Sequence, residues 1–277
     1  MSAGTFRRPP AAAVIAVTLA AVLMLVPMLW VLILSFKDNS ALMADASSAF
    51  SAPYTLANYR SILGESQVFT WLLNSLVVSL AMTAGVLVLS SLAGYGFARL
   101  QFPGRKLLFV MVLFGLAIPE QAVIIGRHQL FSAVSLHNSY TALVLPGLSM
   151  PFGVFLMTQY FRAIPRELDE AALLDGASRF RVFSRILLPL TIPAQATLGI
   201  FTFFHAWNDY WWPLISATNR EMLTLTVGVA ATQMNFAQTE GIGFLMAQAV
   251  FAAVPTLLVY VAFQKHLVRA VAGAAGQ

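Results

Sequence analysis

Glu170-Ala171-Ala172-Leu173-Leu174-Asp175-Gly176 and, after nine intervening residues, Ile186-Leu187-Leu188-Pro189 form a polar, helix-favouring island in a chain otherwise nearly free of charge. Crossing a bilayer takes roughly 20 consecutive apolar residues. Charge-free stretches of that length follow the island at 186–208 and 241–264 and precede it at 9–36 and 66–98. Residues 107–126 are apolar apart from Glu120, and 128–161 hold no Asp, Glu, Lys or Arg, although Pro146, Gly147 and Pro151 interrupt them. Six spans are therefore expected in one transmembrane domain over 1–277, at about 11–36, 70–98, 107–127, 139–162, 186–210 and 243–265. Leu, Val, Ala and Gly dominate them without the short alternating strands of a membrane barrel, so the fold class is all-α, the form in which each segment satisfies its own backbone polar groups.

The composition agrees. The chain of 277 residues is 59% hydrophobic and 10% charged, against about 25% charged in a soluble globule. The first apolar run, after Arg7 and Arg8, is much longer than the 7–15 residues of a signal-peptide core and is expected to stay in place as a span. No cysteine is present, so neither a disulfide nor thiolate chemistry is available.

Orientation follows from the sixteen Lys and Arg residues, because cytoplasmic loops carry the positive excess. With the N-terminus inside, Arg7, Arg8, Arg99, Arg105, Lys106, Arg162, Arg166, Arg179, Arg181, Arg185, Lys265 and Arg269 are cytoplasmic, and Lys37, Arg60, Arg127 and Arg220 are outside. Twelve against four puts both termini in the cytoplasm of a multi-pass inner-membrane protein. The net charge of +5 thus reflects orientation; the basic residues form no stripe and no nucleic-acid partner is expected.

The island becomes a cytoplasmic loop, 164–181, between the fourth and fifth spans. Pro165 suits a first turn, Glu167, Asp169 and Glu170 complement the positive end of a helix dipole, and Gly176 suits a stop. Leu168, Ala171, Ala172 and Asp175 fall at i, i+3, i+4 and i+7, giving a mostly small-residue face open to close approach by another protein. Arg179, Arg181 and Arg185 then lead back to the lipid headgroups. On physics alone the loop is either an ordinary basic cytoplasmic connection or a surface presented to a soluble partner.

The string E-A-A-x3-G-x9-I-x-L-P resembles, at every defined position, the signature of membrane subunits of binding-protein-dependent ABC importers. Ile164-Pro165-Arg166-Glu167-Leu168-Asp169 leading into it resembles the carbohydrate-uptake branch, in particular its maltose-permease G-type members. Asn58-Tyr59, Asn74-Ser75, Ala98-Arg99-Leu100-Gln101-Phe102-Pro103-Gly104-Arg105, Leu145-Pro146, Trp207-Asn208-Asp209-Tyr210 and Pro213-Leu214 are similar to that branch in the same order. Gly126-Arg127-His128 departs from it, standing where proline and apolar residues are usual. The resemblance implies the type I importer permease fold. It implies a half-channel paired with a second, homologous permease, two copies of an ATP-hydrolysing subunit and an extracytoplasmic solute-binding protein. ATP and Mg would be used by the ATPase, and this chain would be non-catalytic, holding no cofactor of its own. Loop 164–181 would be the coupling helix, with Glu170, Ala171, Ala172, Asp175, Gly176, Ile186 and Pro189 as the coupling residues and Glu170 clamped by a partner arginine. The cargo would be a sugar or a sugar-like solute.

The residues offer no chemistry of their own. No Gly-rich loop ends in Lys-Ser or Lys-Thr, so ATP is bound elsewhere. Gly94-Tyr95-Gly96 reads as helix packing. His128, His137, His205 and His266 lack metal-ligand spacing, and no metal is assigned. Five residues are candidates for the solute path. Glu120, an acid inside an apolar stretch, either lines the pore or bonds backbone groups freed by Pro119. Arg127 either meets solute or binding protein or snorkels at the outer interface. Trp207, Asn208 and Asp209 lie in an aromatic cluster that forms an interfacial belt or flanks a sugar route. Residues 222–239 are too polar for a seventh span and are expected outside as a loop or interfacial segment, and the tail 270–277 either reaches between the ATPases or is disordered. The alternative class, an ion-coupled secondary transporter of small polar solutes, calls for internal repeats and midplane acids. Only Glu120 is available for that.

Overall fold

The computed structural model describes residues 10–38, 50–64, 66–236 and 241–275. Arg7, Arg8, residues 237–240 and the last two residues of the tail lie outside them. The described residues are helical, with no strand, and divide into two compact units, one from 1–65 and 231–253 and the other from 66–230 and 254–277.

Among the described residues, three helices are long and apolar enough to cross a membrane: α1 (Ala11–Ser35), the Gln67–Arg99 part of α3 (Ser66–Arg99), and the Gly241–Ala262 part of α13 (Gly241–Ala275). The helix α13 also takes in residues 270–275 of the tail. The short α2 (Ala57–Gly64) precedes α3. Three further candidates are bent pairs, so the count reaches six only if each pair is one span. The pairs are α4 (Arg105–Ala117) with α5 (Glu120–Ala133) at 103°, α6 (Tyr140–Leu148) with α7 (Pro151–Ala163) at 46°, and α9 (Arg179–Leu190) with α10 (Ile192–Asn208) at 75°.

Each break has a local cause. A residue before proline is driven out of the helical region: Ile118 (φ −86°, ψ 114°) before Pro119 and Met150 (φ −111°, ψ 93°) before Pro151 are both extended. Between α9 and α10, Thr191 (φ −92°, ψ 7°) leaves the helix two residues before Pro193. The carbonyl of Leu188 released there is satisfied by Thr191 Oγ1 at 2.8 Å and Gln195 Nε2 at 2.9 Å.

In the first unit, the end of α1 is fixed by Asn58 and Tyr59 of α2. Asn58 Nδ2 donates to the carbonyls of Ser35 and Lys37, both at 2.9 Å, and Tyr59 Oη lies 2.7 Å from Ser35 Oγ. Lys37 is buried, its ammonium on the carbonyls of Ser51 and Pro53 and 4.1 Å above the Tyr54 ring.

The second unit is built on α3, against which α7 and α10 pack most heavily. Lipid is as apolar as leucine, so helices in a membrane associate through close packing of small residues. Gly94 serves that purpose: a β-carbon there would lie 2.6 Å from Met157 Cβ and 2.9 Å from its carbonyl carbon. A β-carbon at Gly153 of α7 would collide with Ser90 Oγ of α3. The short α11 (Trp211–Ser216) follows α10, and the segment 222–239, expected as a loop or interfacial stretch, is helical over α12 (Leu225–Phe236). Its entry is tied to the start of α3: Trp71 Nε1 donates to the Arg220 carbonyl at 2.7 Å, Asn74 Nδ2 to those of Glu221 and Leu223 at 2.7 and 2.9 Å, and Leu225 N to Ser75 Oγ at 2.8 Å.

Candidate functional site

The loop between α7 and α9 carries a short helix, with Pro165 just ahead of it and not in its first turn. Helix α8 (Glu167–Leu174) starts two residues after Pro165 with three acids in its first turn. It ends in a Schellman turn, in which Ala177 N donates to the Ala172 carbonyl at 3.0 Å and Gly176 N to that of Leu173 at 3.1 Å. Gly176 has φ +80°. No atom of the chain lies within 4 Å of where its β-carbon would be, so conformation, not close packing, calls for glycine.

The small-residue face divides. Ala172 turns inward and is buried, while Leu168, Ala171, Glu170 and Asp175 are exposed. Leu174 at the helix end is 89% exposed, and Phe180 at the start of α9 is 72% exposed. Ile186 is half-buried and Pro189 exposed on α9. Pro189 lacks an N–H and crowds the carbonyl four residues back. The π-helical turn at Phe183–Leu187 lies just before it, with Leu188 N donating to the Phe183 carbonyl.

Behind α8 lies a cleft of about 150 Å³ lined by Tyr95, Arg99, Leu100, Arg166, Asp169, Glu170, Leu173, Arg179 and Val182. Arg99, the last residue of α3, forms part of its wall. Its Nη2 donates to the Ile164 carbonyl at 2.6 Å, and its Nε lies 3.0 Å from Asp169 Oδ2. Burial pushes the Asp169 carboxyl above the usual carboxylate range, and Arg99 pulls in the other direction. One turn back, Tyr95 Oη donates to the Arg179 carbonyl at 3.3 Å, and its ring meets Phe161 and Phe183 at 5.9 and 5.0 Å. None of these pairings is legible in the sequence, where Arg99 counts as a cytoplasmic basic residue and as part of the family-like stretch Ala98–Arg105.

At the opposite end of α3's unit, the bends bring Glu120, Arg127 and Asp209 together with His205 and Trp212. Glu120 Oε1 accepts from Arg127 Nη1 at 3.1 Å, and His205 Nε2 is 3.8 Å from Glu120 Oε2. The Arg127 guanidinium lies 5.0 Å above the Trp212 ring, and Asp209 accepts from the Trp212 backbone N–H. Trp207 and Asn208 stay apart from this cluster. Trp207 is 3% exposed and stacked on Phe203, and Asn208 Nδ2 turns back to the Phe204 carbonyl at 2.8 Å. His128 and His137 stack at 4.6 Å, but no group of three His, Asp or Glu residues is placed to hold a metal among the described residues.

Comparison with known proteins fits this arrangement. The chain is 34% identical to the diacetylchitobiose uptake system permease protein NgcG of Streptomyces coelicolor over 89% of its length and 82% of that protein. It is 33% identical to the arabinooligosaccharides transport system permease protein AraQ of Bacillus subtilis, over 89% and 88%. With the trehalose/maltose transport system permease protein MalG of Thermococcus litoralis it shares 30% identity over 92% of each. A crystal structure of a bacterial ABC transporter involved in the import of the acidic polysaccharide alginate has the same fold, with a TM-score of 0.79 at 20% identity over 94% of this chain and 99% of that one. The match at residues 86–273 to the family described as binding-protein-dependent transport system inner membrane component spans loop, cleft and outer cluster alike, and the chain belongs to that family.

Proposed function

We propose that this multi-pass membrane chain, a permease subunit of an ABC importer, carries a sugar or sugar-like solute and is driven through loop 164–181. The complex it works in contains a second, homologous permease, two copies of an ATPase that binds ATP and Mg, and an extracytoplasmic solute-binding protein. Both termini face the cytoplasm, as the charge asymmetry favours. The sugar assignment is supported by the oligosaccharide and disaccharide systems named for the three relatives.

One observation carries the coupling role. Leu174 and Phe180 are exposed on a charged connecting loop, beside the exposed Glu170 and Asp175. Apolar side chains projecting from a loop that is gripped from behind favour a docked partner over a solvated turn. Glu170 clamps that partner by a charge-assisted hydrogen bond, Ala171 allows close approach, Ala172 and Gly176 shape the helix and its end, and Ile186 and Pro189 set the return into the next span. The solute path passes the outer cluster of Glu120, Arg127 and Asp209, with Trp207 and Asn208 in the wall behind it.

The test is purification through this chain in mild detergent, followed by uptake in proteoliposomes. The ATPase is expected to co-purify, and uptake is expected to need ATP hydrolysis and no ion gradient. Glu170→Ala is expected to abolish uptake while the permease remains in the membrane. Near-normal uptake by this variant removes Glu170 from the coupling contact.

A further inference from the structure

We infer that Arg99 is a positioning residue that joins the coupling loop to α3, so that a displacement of α8 is delivered to α3 directly and not only along the chain through α7 and α9. The inference rests on the coupling role of loop 164–181 and adds the route by which its motion enters the bundle.

Three observations point the same way. Arg99 grips the loop at two places, the Ile164 carbonyl ahead of α8 and the Asp169 carboxylate within it, at 2.6 and 3.0 Å. The side chain is 4% exposed and that of Asp169 18%, so the pair is shielded from the screening that weakens surface ion pairs. Tyr95, one turn earlier on the same helix, holds the far side of the loop at the Arg179 carbonyl. The last two turns of α3 therefore hold both flanks of α8 and its first turn.

Chemistry explains why arginine is needed. The planar, permanently charged guanidinium lets one side chain hydrogen-bond a carbonyl through Nη2 and set its charge beside a carboxylate at once. Lysine would keep the charge opposite Asp169 and lose the second contact. Glutamine would leave Asp169 without its cation. Motion through packed elements passes as discrete rigid-body shifts. A loop held to α3 at three points moves with it, whereas a loop joined only through α7 and α9 can rock while α3 stays put. Because α7 and α10 pack on α3, α3 is the element from which a shift reaches the rest of its unit.

The experiment uses the intact complex purified through this chain. With no native cysteine, Leu92→Cys on α3 and Glu167→Cys on α8 take a nitroxide pair without further background changes. Their distance is read in the nucleotide-free and the ATP- and vanadate-trapped complex. In the wild-type background it is expected to change by less than about 2 Å, within an ordinary helix shift. With Arg99→Gln it is expected to broaden or move by about 5 Å, a helical turn, while the ATPase still co-purifies because Arg99 faces away from the exposed side of α8. With Arg99→Lys, which keeps the cation opposite Asp169 and loses the second contact, the distribution is expected to fall between those of wild type and Arg99→Gln, a grading that a merely structural loss would not give. An Arg99→Lys distribution as broad as that of Arg99→Gln overturns the ion-pair part of the inference. A wild-type distance that changes on trapping overturns the inference even if Arg99→Gln fails to accumulate, and so does an Arg99→Gln distribution as narrow as wild type. Failure of the ATPase to co-purify with the wild-type chain overturns the coupling reading first, and the inference with it.

Discussion

Gly176 shows how one backbone angle constrains the loop. Its φ of +80° costs an ordinary L-residue about 1–2 kcal/mol, and the open space around it removes any steric reason for glycine. Asparagine enters this region readily and a β-branched residue does not. Gly176→Asn is therefore expected to keep most of the uptake rate, and Gly176→Val to lose most of it through fraying of α8. Gly176→Asp separates the two effects, since aspartate tolerates the turn but adds a second carboxylate beside Asp175. Uptake lost with Asp and kept with Asn locates the fault in charge at the docking face; uptake lost equally with both means the turn tolerates only glycine. Gly176 and the acidic first turn are legible in the sequence because both act within a few residues. The Arg99 contacts are not, because Ile164 lies 65 residues away and only the packing of α3 against the loop brings it near.

At the scale of elements, the sequence places the apolar segments but not their direction. Pro119 and Pro151 are visible as interruptions of apolar stretches, whereas Pro193 falls in what reads as one unbroken span and Pro27 and Pro255 lie inside continuous helices. The 103°, 46° and 75° bends that follow depend on what each half packs against. The Glu120 cluster is a product of those bends and no spacing rule reveals it, whereas Trp207, beside Asp209 in sequence, turns into the core. The helix α12 is hidden for a related reason: its polar residues argue against a span, and the partners on α3 that hold it are some 150 positions away. Close packing at element scale is testable on Gly94 and Gly96, two residues apart on α3. A β-carbon at Gly94 strikes the Met157 backbone, while one at Gly96 meets nothing within 4 Å. Gly94→Ala is expected to destabilise the α3 and α7 pair by about 1–3 kcal/mol, as overpacking commonly does, and Gly96→Ala to be near neutral. Thermal unfolding of the detergent-solubilised complex decides it, and equal midpoints for the two variants would mean that the helices separate without strain.

At the largest scale, the unit built on α3 has two differently built ends. One carries exposed apolar residues on a charged, clamped loop, and the other carries a cluster of Glu120, Arg127 and Asp209 with aromatic neighbours. Helix α3, about 50 Å long at 1.5 Å per residue, touches the segments at each: residues 220–225 near its start and the loop near its end. If the loop faces the cytoplasm, Asn219 and its neighbours must face the other side. The absence of native cysteine makes the point testable in the otherwise unaltered chain. Asn219→Cys is expected to react with a membrane-impermeant thiol reagent in intact spheroplasts. Leu174→Cys, at 89% exposure, is expected to react only after permeabilisation, in cells that make the permease without its ATPase. In the assembled complex Leu174→Cys is expected to be protected and to regain reactivity when the ATPase is stripped from the membrane. Reaction of both positions from the same side would reverse the orientation argument for one of them. Unchanged reactivity of Leu174→Cys on stripping would mean that the apolar end of α8 meets lipid or solvent, and the docking face would then have to be sought around Phe180.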